Sequence, residues 1–207
     1  MKGLRPTHLC PDRMGRIVLL AMEEILGRSG LNALLRSVSL AEYIDPPSEQ
    51  DLAIPFEHIA ALQAALETTY GTRAGRGLAL RAGRACFKYG LREFGPELGV
   101  TSLAFRLLPL PAKLETGGRA LAALLNKNLE AQVTLDLDRG HFSWKIESCP
   151  LCWGRTTDSP CCHLAVGLLQ DAGYWVSGGK TFLVEETRCI AHGDSACTIV
   201  LDPHPIE

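Results

Sequence analysis

The sequence predicts an α+β fold, an antiparallel β-sheet of two hairpins packed against several helices. Two observations carry this. Apolar residues recur at helical spacing through most of the first 128 positions, and the period changes to two at Val133 and again near Thr181. A chain of 207 residues fits one domain. Residues 1–207 are therefore expected to form a single unit, with 1–128 mainly helical and 129–207 running hairpin, helix, hairpin. A sheet covered by helices on one face is the natural packing for that order.

Each element has its own signal. Residues 13–28 place Ile17, Val18, Ala21, Met22, Ile25 and Leu26 on one helical face, with Asp12 as N-cap and Gly27 and Gly30 as the stop. A second short helix is expected over 31–40, broken by Asp45-Pro46-Pro47-Ser48. A third covers 56–70 and ends at Gly71. The stretch 75–94 is helical and studded with Gly77, Gly83 and Gly90, which allow close helix contact. Pro109-Leu110-Pro111 interrupts, and 114–128 resumes the helical period. Val133, Leu135 and Leu137 then alternate with polar residues, Asp138-Arg139-Gly140 supplies a turn, and Phe142, Trp144 and Ile146 alternate again. After a cysteine-rich loop, 163–176 is helical up to Gly178-Gly179, and strands at 181–187 and 197–201 make the second hairpin.

Composition narrows the function. A formal charge of −2 with scattered basic residues leaves no electrostatic footprint for nucleic acid or an anionic membrane. Apolar runs such as Ile17 to Met22 fall far short of the ~20 residues that span a bilayer. No leader pattern opens the chain, so a cytoplasmic location is expected. Of the eight cysteines, Cys10 and Cys86 stand alone while the rest fall in the last third. In a reducing compartment, clustered thiols argue for metal over disulfides.

Glu186 and Cys189 leave one strand and Cys197 opens its partner, so a hairpin brings them together, and Cys162 starts the preceding helix. Three thiolates and a carboxylate match the four ligands of a closed, structural Zn²⁺ site, and thiolates accept iron as well. Two other readings stay open at this point: small buried thiols, or a nucleophilic cysteine with His163 or His192 as base. Cys149-Pro150-Leu151-Cys152, with Cys161 and His163, offers a second metal or redox site, or rivals for the place of Cys162. Trp144, Leu168, Trp175 and Phe182 are candidate walls of a ligand pocket.

The run from Cys162 to Leu201 resembles the 4-vinyl reductase-like domain, a family named after a bacteriochlorophyll-biosynthesis protein and used as the sensory half of aromatic-responsive transcriptional activators. The resemblance rests on Cys162 and Gly167, Glu186 and Cys189, Gly193-Asp194, and Cys197. It implies a fold shared with TRAPP-type vesicle-tethering subunits and haem-based nitric oxide sensors, commonly dimeric, with a hydrophobic pocket. It also implies zinc on Cys162, Glu186, Cys189 and Cys197. The expected function is a sensor or carrier for a hydrophobic, aromatic or tetrapyrrole-like molecule, with no catalytic residues and any signal passed through a partner protein. The alternative is a component of bacteriochlorophyll biosynthesis acting on a vinyl group, although no dinucleotide fingerprint is visible to supply a hydride. A purely structural assembly subunit is the third class.

Overall fold

The computed structural model describes residues 8–44, 53–129, 131–138 and 140–206, leaving the break expected at Asp45-Pro46-Pro47-Ser48 and the turn residue Arg139 outside the described residues. In chain order the elements are β1 (Leu9–Cys10), α1 (Asp12–Ser37), β2 (Ile54–Pro55), α2 (Phe56–Tyr70), α3 (Thr72–Leu98), α4 (Leu103–Arg106), α5 (Leu110–Asn128), β3 (Val133–Asp138), β4 (His141–Ile146), α6 (His163–Ser177), β5 (Thr181–Arg188) and β6 (Cys197–Ile206). The expected α+β architecture is the one observed. Four antiparallel strands form a sheet in the order β3-β4-β6-β5. β1 and β2 pair separately as a two-residue clamp, too short to leave a periodic signal.

The two expected N-terminal helices are halves of α1, separated by a kink at Gly27, where φ is 71° and ψ is 161°. A positive φ is cheap only for glycine, so the chain turns there without ending the helix. Pro11, not Asp12, occupies the N-cap position, and Asp12 is the first helical residue, where its charge still suits the helix dipole. α2 has the expected ends, and α3 runs to Leu98 and closes on Gly99 in the left-handed region.

The closest helix pair is α3 against α6. A Cβ built on Gly83 would lie 2.0 Å from the Leu164 carbonyl oxygen, and one on Gly167 would lie 2.0 Å from that of Leu80. Each helix therefore seats its backbone on the other's glycine, and any larger residue must push them apart. Gly77 and Gly90 face open space, so of the three glycines expected to bring helices together only Gly83 does so.

In the sheet, β3 pairs with β4 from Val133↔Ile146 to Asp138↔His141, and β5 pairs with β6. The hairpins join through β4 and β6, with Phe142↔Leu201, Trp144↔Ile199 and Ile146↔Cys197 in register. That last pair sets the start of β6 beside the end of β4, three residues before Cys149. Phe182, Val184, Trp144, Ile199 and Leu201 are buried in one core with the helices. Among the described residues, no helix is long and apolar enough to cross a membrane.

Candidate metal centre and apolar cavity

β5 alternates, so Phe182, Val184 and Glu186 point toward the helices. A bulge between Glu186 and Arg188 ends the regular pairing there. Cys189 follows at once, and its N–H donates to Asp194 Oδ2 at 2.9 Å, closing the tight loop back to Cys197. The Cys162 N–H, at the N-cap of α6, donates to Glu186 Oε2 at 2.6 Å.

One ligand atom from each of Cys162, Glu186, Cys189 and Cys197 lies within 4.8 Å of the other three. The Sγ atoms of Cys162 and Cys197 are 3.8 Å apart, and each is 3.9 Å from that of Cys189. Thiolates at Zn–S bonds of about 2.3 Å span a tetrahedral edge of about 3.8 Å. Among the described residues, Glu186 Oε1 is buried with no hydrogen-bond partner, an oxygen that a cation would satisfy. Burial pushes the Glu186 carboxyl up to about 8, against the opposing hydrogen bond from the Cys162 N–H. A carboxylate belongs in that position only beside positive charge.

The CxxC loop adjoins the same cluster. Cys149 Sγ lies 3.6 Å from Cys162 Sγ, and Cys152 Sγ lies 3.4 Å from Cys197 Sγ. Cys149, Cys152, Cys162 and Cys197 make a second set of four donors within 4.8 Å of one another. Cys161 Sγ is 3.8 Å from Cys189 Sγ, at the margin. His163 departs from expectation: its Nε2 faces Glu67 Oε1 at 3.8 Å, outside both donor sets, and burial lowers its pKa toward the neutral form.

Sequence reasoning missed Gln63. This buried side chain on α2 donates from Nε2 to the carbonyls of Leu151 (3.1 Å) and Cys161 (2.7 Å), and its Oε1 accepts from the Leu164 N–H at 3.2 Å. It ties the cysteine loop and the start of α6 to the helical layer. The available signal was an amide on an otherwise apolar face, between Ile59 and Leu66.

Beside this centre, a cavity of about 170 Å³ lies between helices α1, α3, α5 and α6 and the sheet. Ile17, Phe94, Leu124, Trp144 and Leu168 are among its walls, and Cys149, Leu151 and Leu164 line it on the side of the cysteine loop. Trp144 and Leu168 thus occupy the expected position. Trp175 does not: it lines a smaller neighbouring void of about 50 Å³ with Val176. Phe182 is core, packed beneath Gly173 and outside these cavities. The cavity wall includes the neutral thiols Cys10, pushed up to about 12 by burial, and Cys86, also pushed up by burial. The Trp144 Nε1–H is buried and unpartnered.

No family model matches the sequence, and no curated protein matches it significantly. Solved structures do match. An Fe(II) unliganded H-NOX protein mutant from K. algicida is similar with TM-score 0.58 at 10% identity, over 95% of this chain and 97% of that one. An H-NOX protein from S. oneidensis in the Fe(II)NO ligation state gives 0.56 at 8% identity, over 92% and 98%. The phenol-responsive sensory domain of the transcription activator PoxR, crystallised with phenol, gives 0.49 at 23% identity, over 75% and 79%. At these identities the H-NOX likeness establishes the fold alone.

Haem does not fit the cavity of this chain. Its lining contains no histidine, its two isolated thiols are held protonated, and its volume of about 170 Å³ is close to that of engineered cavities, of about 150 Å³, that take benzene. A tetrapyrrole is several times larger than one such ring. The described chain therefore shares the fold of the H-NOX proteins, while the residues lining its cavity do not fit haem.

Proposed function

We propose that the protein is a small-molecule-binding domain, a sensor or carrier, whose cavity holds a single-ring aromatic compound beside a structural zinc site. The observation that carries this reading is the cavity of about 170 Å³ walled by apolar side chains, adjoining the cysteine loop through Cys149 and Leu151. Such a space stays dry when empty and gains dispersion contacts when filled. The lining is apolar throughout, which supports a ligand held by shape and dispersion contacts. The cavity's size favours one ring over the tetrapyrrole-like class.

In this reading, zinc on Cys162, Glu186, Cys189 and Cys197 pins the start of α6 to the sheet and so fixes the Leu164–Leu168 wall. The residues act as one domain, since helices and strands both contribute walls. A homodimer and a downstream protein partner belong to the same reading. The faces of α1 and α2 are covered by α3 within the chain, so a dimer contact would fall to exposed apolar residues such as Leu103 on α4 and Leu107 just after it, 71% and 76% exposed.

The test is a titration of indole fluorescence with phenol, cresols and toluene. Saturable binding at one per chain, lost in Leu168→Trp with the metal content unchanged, is the expected result. Absence of saturable binding to all of them would remove the reading. Oxidation of NAD(P)H with saturation of a vinyl-bearing tetrapyrrole would replace it with the reductase alternative.

A further inference from the structure

We propose that the cysteine centre binds two thiophilic divalent ions, with Cys162 and Cys197 as bridging thiolates. The inference rests on reading Cys162, Glu186, Cys189 and Cys197 as a metal site. The first ion would take these four. The second would take Cys149, Cys152, Cys162 and Cys197.

Four observations support it. The two donor sets share two sulfurs and no other atoms. Thiols that merely hydrogen-bonded to a mononuclear site would each need to touch one sulfur, yet here all four Sγ atoms of the second set converge within 4.8 Å. The Cys149–Cys162, Cys152–Cys197 and Cys162–Cys197 separations of 3.6, 3.4 and 3.8 Å approach the tetrahedral edge of about 3.8 Å set by Zn–S bonds of about 2.3 Å. Finally, the two-residue gap between Cys149 and Cys152 lets one turn present both sulfurs to one ion, and Gln63 holds that turn through the Leu151 carbonyl.

Charge also balances. Cys149 and Cys152 are each 1% exposed, where a lone thiolate is costly. Binding the second ion releases their two protons and adds two positive charges, so the centre keeps the net charge it has with one ion. Of the second ion's four Zn–S bonds, those to Cys149 and Cys152 replace S–H bonds and those to Cys162 and Cys197 use lone pairs of thiolates already ionised, so no redox partner is required.

Zinc would be titrated into reduced, metal-free full-length protein and the count read by native mass spectrometry, with cobalt as a parallel probe. Two ions per folded chain are expected, falling to one in the double variant Cys149→Ala, Cys152→Ala. In the wild type, the magnetic moment per cobalt should fall as the second equivalent binds, because shared thiolates couple the two spins; this readout stands even where the variant fails to fold. Saturation at one ion, with Cys149 and Cys152 open to alkylation or joined in a disulfide, would overturn the two-ion centre and leave the single site standing. Two uncoupled ions, or iron with acid-labile sulfide, would overturn it as well. No bound ion would overturn both readings together.

Discussion

The cavity and the cysteine centre are neighbours that share Cys149, yet they are built on opposite physics. The cavity is defined by what is missing, a volume that apolar side chains enclose without filling. The cysteine centre is crowded with directional groups that, as thiolates, stay buried only beside a cation. Apolar enclosure tolerates substitution as long as volume is kept. The centre does not, because removing one donor leaves the others as uncompensated buried charge. The first region should therefore set what binds, and the second should set whether the fold holds its shape.

The largest expected break is on the centre's side. Cys197→Ser, which removes a donor common to both sets, should abolish bound metal and cost about 3–5 kcal/mol, the range for breaking a buried charged constellation, and Cys189→Ser should lose the ion held with Glu186. At roughly 2–4 °C per kcal/mol for a chain of this size, the melting temperature should fall by more than about 6 °C. Calorimetry with elemental analysis checks both, and a variant that keeps its metal would contradict the ligand assignment.

Next comes the glycine contact between α3 and α6. Gly83→Ala places a methyl against the Leu164 carbonyl and should cost about 1–3 kcal/mol by overpacking, read by urea denaturation. Because α6 carries Cys162 at one end and Leu168 in its middle, aromatic binding should weaken alongside stability.

Gln63→Ala should come close behind. It leaves the carbonyls of Leu151 and Cys161 and the Leu164 N–H without their partner, at about 1–3 kcal/mol for buried unsatisfied groups. Faster zinc transfer to a chromophoric chelator would show that the loop has loosened while the ligands remain. The smallest effect belongs to Cys10→Ala, which trims a cavity wall outside the centre: metal content should stay constant and stability should change by less than about 1.5 kcal/mol, checked by the same two measurements.

The legibility of these regions in the sequence follows the same divide. Helix α2 and the β3–β4 hairpin were readable because their periodicity is local, and Cys162, Glu186, Cys189 and Cys197 were readable because one helix start and one hairpin hold them. The entry of Cys149 and Cys152 into the same centre was readable only as a rivalry for the place of Cys162, not as donors beside it. It depends on β4 pairing with β6 so that Ile146 faces Cys197, a contact between separate hairpins that no local pattern encodes. Trp144 and Leu168 could be placed at the cavity from the inward face of a strand and a helix. Trp175 sits further along α6, beside the smaller void, and Phe182 is packed in the core on β5, so neither reaches the cavity. Gly27 looked like a stop because a positive φ usually ends a helix; here the next turn restarts on the same path and packs through Leu31, Leu34 and Leu35.

The separation of roles is tested most directly by methyl-resolved NMR of the zinc-loaded protein during titration with p-cresol. Saturable shifts confined to methyl groups around the cavity, including Leu124, Leu164, Leu168 and Ile199, with one zinc or more retained throughout, are the predicted result. Shifts scattered over the surface, or none at saturating ligand, would contradict the assignment of the cavity as the binding site.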